Sequence, residues 1–464
     1  MNAISRAATP PKTLPLGSDL KRLETLPTCW HWKSESDTPA PTAWVNVTTE
    51  LNAPTALLLA RQNVGMVWWC DFQNAKQLLV ALQKRLEPRA TPHSITATAA
   101  TTATTAKQNT TTHPLAQAFH VQRLHRSEQL KILSKLLIPI LADYTIALKR
   151  SPQVREVLIS VWGEPCEPSN AALIVQSGEQ VTVRSSTTAN QAPQVLHDTA
   201  ITLVSLKELL GYIGAHEWQK KGVAIPALKS TPPSGLSTSP TNPEAPRIYP
   251  HYGVFSPVRG EYLNLVGTAP LPLALEGNSV AQDVGVGTGV LSAILLSRGV
   301  QRVVGTDTQD RALECARDNL NRLGLMERVQ LLKTSLFAQT RSPLIVCNPP
   351  WLPGKARSPM ERAVFDPESA MLKGFLSGLQ AHLSPEGEGW LIMSDLAERL
   401  GLRASGTLQG WIEQAGLVVV DQLKAAPTHP KSSDTSDPFY EARRGEITSL
   451  WRLRSRLNHT NPEK

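Results

Sequence analysis

Cysteine is scarce. The five residues Cys29, Cys70, Cys166, Cys315 and Cys347 are odd in number, widely spaced and without a C-x-x-C pair. They fit neither a disulfide framework nor a zinc site and point to a reducing cytoplasm. Long apolar runs are also missing: a bilayer needs about 20 uninterrupted apolar residues, and even the greasiest stretch, 130–148, contains Lys131, Lys135 and Asp143. An integral membrane protein is not expected. The first sixteen residues carry Arg6 and prolines but no continuous apolar segment, so a secretory signal is not expected either. No G-x-x-x-x-G-K-[ST] or G-x-S-x-G occurs, and the eleven histidines form no H-x-x-x-H or H-E-x-x-H. A P-loop nucleotidase, a hydrolase of the common type and a metal site all lack support.

What is present is a globular chain of 464 residues, 41% apolar and 19% charged, long enough for two or three domains. Its charge is uneven. Residues 1–250 hold 24 Lys and Arg against 17 Asp and Glu, while 251–464 hold 23 against 22. A basic amino-terminal half suits docking on a polyanion such as RNA or a ribosome. No compact Lys/Arg cluster stands out, so a solvated basic surface explains the excess as well.

Two stretches punctuate the chain. Ten threonines and five alanines crowd into residues 91–113, a low-complexity insertion. Residues 229–250, KSTPPSGLSTSPTNPEAPRIYP, form a Pro/Ser/Thr linker that cannot sustain a helix or a central strand. The chain therefore divides into a mixed α and β substrate-recognition region at 1–228, the linker at 229–250, and a carboxy-terminal domain at 251–455. In the first region helices are expected over 75–86 and 127–148, and strands over 157–162 and 181–184. Trp68, Trp69, Asp71 and Asn74 fit an apolar strand ending in a polar helix cap.

After the linker, apolar strands alternate with helices, as in a parallel sheet covered on both faces. Strands are expected at 280–284, 302–306, 328–332, 343–347, 388–393 and 417–423, with helices at 290–298, 310–323, 368–383 and 404–415. A last strand at 447–453 has no preceding helix and can pair antiparallel beside its predecessor.

The first of these strands runs into Asp283-Val284-Gly285-Val286-Gly287-Thr288-Gly289, where glycines permit close approach of backbone to ligand. A dinucleotide-binding G-x-G-x-x-G would place its third glycine at 290, which is Val290, so a nicotinamide cofactor is disfavoured. The second strand ends at Asp307, positioned to accept both hydroxyls of a ribose. The fourth ends in Asn348-Pro349-Pro350-Trp351. Two prolines there fix the backbone and remove amide donors, leaving carbonyls as acceptors for an NH2 group.

These residues resemble the class I S-adenosylmethionine-dependent methyltransferases, in the N-P-P-[FYW] branch that methylates nitrogen on planar groups. Within it the chain resembles the small-domain enzymes, which include the release-factor glutamine and the ribosomal RNA guanine methyltransferases. The resemblance covers roughly residues 250–455 and implies a Rossmann-like seven-stranded sheet with S-adenosyl-L-methionine as cofactor. By position, Asp283, Gly285, Gly287, Thr288 and Gly289 would surround the methionine end of the cofactor and Asp307 its ribose. Asn348, Pro349, Pro350 and Trp351 would grip the substrate, with Trp351 stacked on its planar group. His251-Tyr252-Gly253-Val254-Phe255-Ser256-Pro257 resembles the segment that lids the pocket, bringing Phe255 to the cofactor. The aspartate that usually holds adenine is replaced by Ser335, so adenine would rest against Leu336 and neighbouring apolar side chains.

For the substrate the signals diverge. Phe365-Asp366-Pro367 resembles the F-E-P of the glutamine enzymes, and Gly253-Val254-Phe255-Ser256 the G-V-F-S of the guanine enzymes. The resemblance implies a macromolecular substrate, protein glutamine or another translation component, with a nucleic-acid base amine as the alternative and an inactive RNA-binding module as the reading from another class.

Overall fold

The computed structural model describes residues 30–36, 38–48, 50–87, 113–165, 201–228, 245–275, 280–428 and 434–456. They fall into two compact units, one drawn from residues 1–90 and 124–214, the other from 91–123 and 215–464. Residues 91–112 of the insertion expected at 91–113, the strand expected at 181–184 and linker residues 229–244 lie outside the described residues.

The amino-terminal unit contains β1 (Trp30–Trp32), β2 (Ala43–Val47), α1 (Ala53–Arg61), β3 (Val64–Trp68), α2 (Phe72–Leu86), α3 (Pro114–Leu133), β4 (Leu136–Ile140), α4 (Arg155–Trp162), β5 (Ile201–Ser205) and α5 (Leu206–Lys221). The unit boundary falls inside α3, after Arg123, and inside α5, after Gly214. The five strands are ordered β1-β5-β4-β3-β2, parallel except between β4 and β5. As expected, β3 ends in a helix cap: the Asp71 carboxylate accepts from the Gln73 amide at 2.8 Å and starts α2.

Two expectations here fail. Residues 157–162 are helix, not strand: Val157, Leu158 and Val161 share one buried face, a spacing of one and four that their β-branched composition disguised. The helix expected over 127–148 ends at Leu133, and Leu136–Ile140 is a strand in which every residue is buried. A continuous apolar run covered on both faces carries no period, and Pro139 inside it rules out a helix interior.

The carboxy-terminal unit runs α6 (Gly260–Thr268), β6 (Val280–Val284), α7 (Val290–Ser297), β7 (Arg302–Asp307), α8 (Asp310–Arg322), β8 (Val329–Lys333), β9 (Ser342–Cys347), α9 (Ala370–His382), β10 (Leu383–Ser394), α10 (Thr407–Gln414), β11 (Leu417–Ala425) and β12 (Thr448–Ser455). Its seven strands are ordered β8-β7-β6-β9-β10-β12-β11, all parallel except β12, which lies antiparallel to both neighbours. This is the expected Rossmann-like sheet, each expected strand lying within a few residues of its place. The insertion of β12 between β10 and β11 is a tertiary choice that strand patterning does not reveal. Side chains of the central strands alternate between two cores. Leu344 and Val346 of β9 with Trp390 and Ile392 of β10 face one core, while Ile345, Cys347, Leu391 and Met393 face the other.

One buried charge cluster ties the last strand in. Glu388 is fully buried and accepts from Arg452 Nε at 2.8 Å, Arg454 Nη2 at 2.9 Å and Trp390 Nε1 at 3.1 Å. Burial alone would raise its pKa, but the Arg452, Trp390 and Arg454 hydrogen bonds outweigh that and hold it below the ordinary carboxylate value. Removing one partner of such a cluster strands the other charges. Glu388→Ala is expected to lose about 3 kcal/mol or more in urea unfolding. Because a lowered pKa is lost as pH falls through it, wild-type stability should decline below about pH 4 more steeply than that of Glu388→Ala; parallel pH profiles would remove the assignment.

Candidate active site

In an open sheet of this order, the crevice forms at the carboxyl ends of the two adjacent strands whose connections diverge, here β6 and β9. Their register pairs Val346 with Asp283 and Cys347 with Val284, which sets Asn348 level with Gly285. The glycine turn and the N-P-P-W segment, some sixty residues apart in sequence, are thus side by side.

The turn has positive φ at Gly285 (77°), Gly287 (51°) and Gly289 (79°), a conformation that favours glycine. The Gly285 and Val286 amides both donate to the Thr306 carbonyl at 2.9 Å, binding the turn to the end of β7. Gly289 opens α7 against α8, where a Cβ would lie 3.3 Å from Ala316 Cα. Thr288 is buried and its carbonyl accepts from Asn319 Nδ2 at 3.1 Å. The Gly287 amide donates to Asp307 Oδ2 at 3.3 Å, so the turn and the acid meet directly; Asp307 Oδ1 accepts from the Gln309 amide at 2.9 Å. Burial raises the Asp307 pKa, opposed by these amides.

Asp283 is fully buried beneath the turn. Its Oδ2 accepts from the Ser292 amide at 2.9 Å and hydroxyl at 2.7 Å, while Oδ1 has no partner among the described residues. Burial pushes its pKa up to about 6, against the pull of the Ser292 hydrogen bonds. Leu336, beyond β8, holds a left-handed backbone (φ 61°), unusual for a branched residue, and its carbonyl accepts from the Thr306 hydroxyl. Ser335 beside it is exposed. Phe255 is half-buried in the segment whose Val254 packs on Ala312 and Cys315 of α8.

At the end of β9, Asn348 Oδ1 accepts from Trp351 Nε1 at 2.9 Å. Pro349 is buried and Pro350 half-buried. The Trp351 indole meets Tyr262 of α6 edge-on, centroids 6.4 Å apart, and the Arg259 guanidinium lies 5.3 Å from its ring. Arg259 is itself held by Glu446, 1% exposed, through Nη1 at 2.8 Å and Nη2 at 3.3 Å; Glu446 also accepts from the Ser394 hydroxyl. From the other side Arg403, 7% exposed, reaches the Trp351 carbonyl and the Ser369 hydroxyl, each at 3.4 Å, and pairs with Glu398. The indole expected to stack on a planar group is thus fixed by three neighbours. Asp366, of the F-D-P segment, is buried and caps α9 through the Met371 and Leu372 amides at 3.0 and 3.1 Å. Sequence reading missed Arg259, two residues beyond the His251–Pro257 segment, and Arg403 and Glu446, which lie far from any motif and carry no local signal.

Residues 247–399 match the family model for the methyltransferase small domain. Among curated relatives, a release factor glutamine methyltransferase of Cereibacter sphaeroides is 29% identical over 30% of this chain and 53% of its own length. A ribosomal protein L11 methyltransferase of Tolumonas auensis is 28% identical over 27% of this chain and 44% of its own. The chain thus spans about half the length of these relatives. A solved ribosomal protein L11 methylase from Lactobacillus delbrueckii subsp. bulgaricus aligns over 47% of this chain and 91% of its own, with 17% identity and a TM-score of 0.32.

The methyltransferase small domain implies S-adenosylmethionine, and the residues present fit it. Asp283 Oδ1, without a partner among the described residues, would suit the cofactor's ammonium, Asp307 would suit its ribose hydroxyls, and the turn's glycines adopt positive φ. Two results should follow. Asp307→Ala should weaken S-adenosylmethionine affinity about tenfold or more, since hydrogen bonds to a charged group contribute about 1.5–3 kcal/mol; unchanged calorimetric affinity in a folded variant would remove the ribose assignment. An ammonium beside Asp283 favours its ionised form, so binding below about pH 6 should release a proton and weaken as pH falls. Binding enthalpies in buffers of different ionisation heat should reveal that release in the wild type and none in Asp283→Asn; equal enthalpies for the wild type would contradict it.

Proposed function

We propose that the protein is an S-adenosylmethionine-dependent N-methyltransferase acting on a planar amide or amine of a macromolecule. The observation that carries this reading is Asn348-Pro349-Pro350-Trp351 at the end of β9, level with the glycine turn of β6. S-adenosylmethionine supplies an electrophilic methyl when bound. The chain's own residues bind, orient and aim. An amide or aromatic amine is a weak nucleophile because its lone pair is delocalised. Asn348 Oδ1 has two lone pairs, of which the Trp351 indole takes one and fixes the side chain's direction. The second is free to accept from the substrate NH2, with the Pro349 carbonyl as a further acceptor, drawing the nitrogen toward tetrahedral geometry. Catalysis then rests on positioning and preorganised dipoles.

The relatives named for a release factor glutamine and for ribosomal protein L11 support a protein of the translation apparatus as substrate. The excess of seven positive charges in residues 1–250 favours a second reading, a base amine of RNA held by the amino-terminal region. An inactive RNA-binding module is the alternative of another class, and the intact Asn348–Trp351 pair speaks against it. Methyl-labelled cofactor given to the full chain with recombinant release factor, recombinant ribosomal protein L11 or transcribed ribosomal RNA separates the three.

Binding and catalysis should come apart at Asn348. Asn348→Ala is expected to bind S-adenosylmethionine almost normally while single-turnover transfer slows about a hundredfold to a thousandfold, the loss typical of one preorganised polar contact. Near-normal transfer by the folded variant would sink the amine clamp.

A further inference from the structure

The first turns of α3 group with the carboxy-terminal unit although they lie more than a hundred residues before the small-domain match. Phe119, 5% exposed, packs with Leu352, Leu396, Ala397, Leu400 and Phe439, its ring 5.7 Å from that of Phe439 and 6.4 Å from that of Phe365. Four residues on, along the same helix face, Arg123 enters the loop 352–366 that follows Trp351.

That loop is closed at its base by parallel pairing of Leu352 with Phe365 and Pro353 with Asp366. Arg123 holds its tip. Its Nη2 donates to the Lys355 carbonyl at 2.8 Å and to Glu361 Oε2 at 3.1 Å, and its guanidinium lies 3.7 Å over the Phe365 ring. The side chain is 13% exposed. Glu361 Oε2 also accepts from the Arg357 amide at 3.0 Å, and Arg357 Nη1 donates back to the Arg123 carbonyl. Approach is so close that a Cβ at Gly354 would lie 2.8 Å from Arg123 Nη1. Farther along, Arg362 Nη1 donates to Gln309 Oε1 at 3.1 Å, two residues past Asp307, and Pro359 Cβ sits 3.2 Å from the Cβ position of Gly253. The loop therefore runs from the clamp across to the ribose end of the sheet.

We propose that Arg123 is a positioning residue for methyl transfer: it pins loop 352–366 as the wall of the acceptor opening beside Asn348 and Trp351, so a helix outside the small domain completes its active site. The proposal rests on the methyltransferase reading above. The loop base is paired without Arg123, so loss of the guanidinium frees the tip and leaves the sheet and cofactor residues intact. A misplacement of about 1 Å is enough to slow a positioned reaction about a hundredfold.

The test uses the full chain and its Arg123→Ala, Arg123→Lys and Arg123→Met variants. S-adenosylmethionine affinity is read by calorimetry, tryptic nicking at exposed Lys355 and Arg357 by mass spectrometry, and kcat and acceptor KM with transcribed ribosomal RNA, ribosomal protein L11 and release factor. Arg123→Ala should keep cofactor affinity within about twofold, nick faster and lose about tenfold to a hundredfold in kcat/KM for the acceptor. Arg123→Lys keeps the charge facing Glu361 and should recover part of it. Wild-type kcat and KM in Arg123→Ala, whatever the nicking, would overturn the proposal. Should Arg123→Ala fail to fold, Arg123→Met keeps the bulk of the side chain while removing every guanidinium contact with the loop, and wild-type kinetics there would overturn the proposal equally. A wild-type protein that binds cofactor yet labels none of the three acceptors defeats the methyl-transfer reading itself, and this proposal with it.

Discussion

The main-chain pairing of β6 with β9 is the constraint on which the site depends. Parallel hydrogen bonds fix Val346 opposite Asp283 and Cys347 opposite Val284. A one-residue slip would turn the two buried faces of β9 inside out, so both cores enforce the register. With it fixed, the glycine turn and the N-P-P-W segment emerge side by side at the switch point, and neither needs the other in sequence.

Around that junction the structure sets charges in places where water is scarce. Arg259 is held by Glu446 on one side of the Trp351 indole, and Arg403 by Glu398 on the side of its carbonyl. Arg123 holds the following loop through Glu361. Each guanidinium is paired, as burial of a charge demands, and each braces backbone or ring rather than facing the glycine turn. The result is a clamp whose parts are over-determined by their surroundings, the condition for positioned catalysis. By contrast Asp283 keeps one buried oxygen without a partner among the described residues under the glycine turn.

Several elements were legible because their physics is local. The alternation of apolar strands and helices after the linker gave the seven-stranded sheet, and the Asp71 cap was visible from residue type alone. Residues 157–162 and 136–140 were misread for different reasons: the first is a Val, Leu and Ile cluster too short to display a period, while the second was taken into a helix from apolar spacing that a fully buried strand also satisfies. The Trp351 indole was read as a substrate platform from its motif, and the structure shows it engaged by Asn348, Tyr262 and Arg259.

By itself the sequence determined the fold class of the carboxy-terminal unit, the glycine turn, the acid of β7 and the N-P-P-W segment, because turn chemistry, strand period and missing amides are properties of neighbouring residues. Only the tertiary structure decided that β12 inserts antiparallel between β10 and β11, that Asp283 is buried with an open oxygen, and that Arg123, Arg259 and Arg403 converge on the clamp and its loop. Those are contacts between residues tens to hundreds of positions apart. Their free energy comes from burial and charge pairing that exist only once the chain has closed on itself.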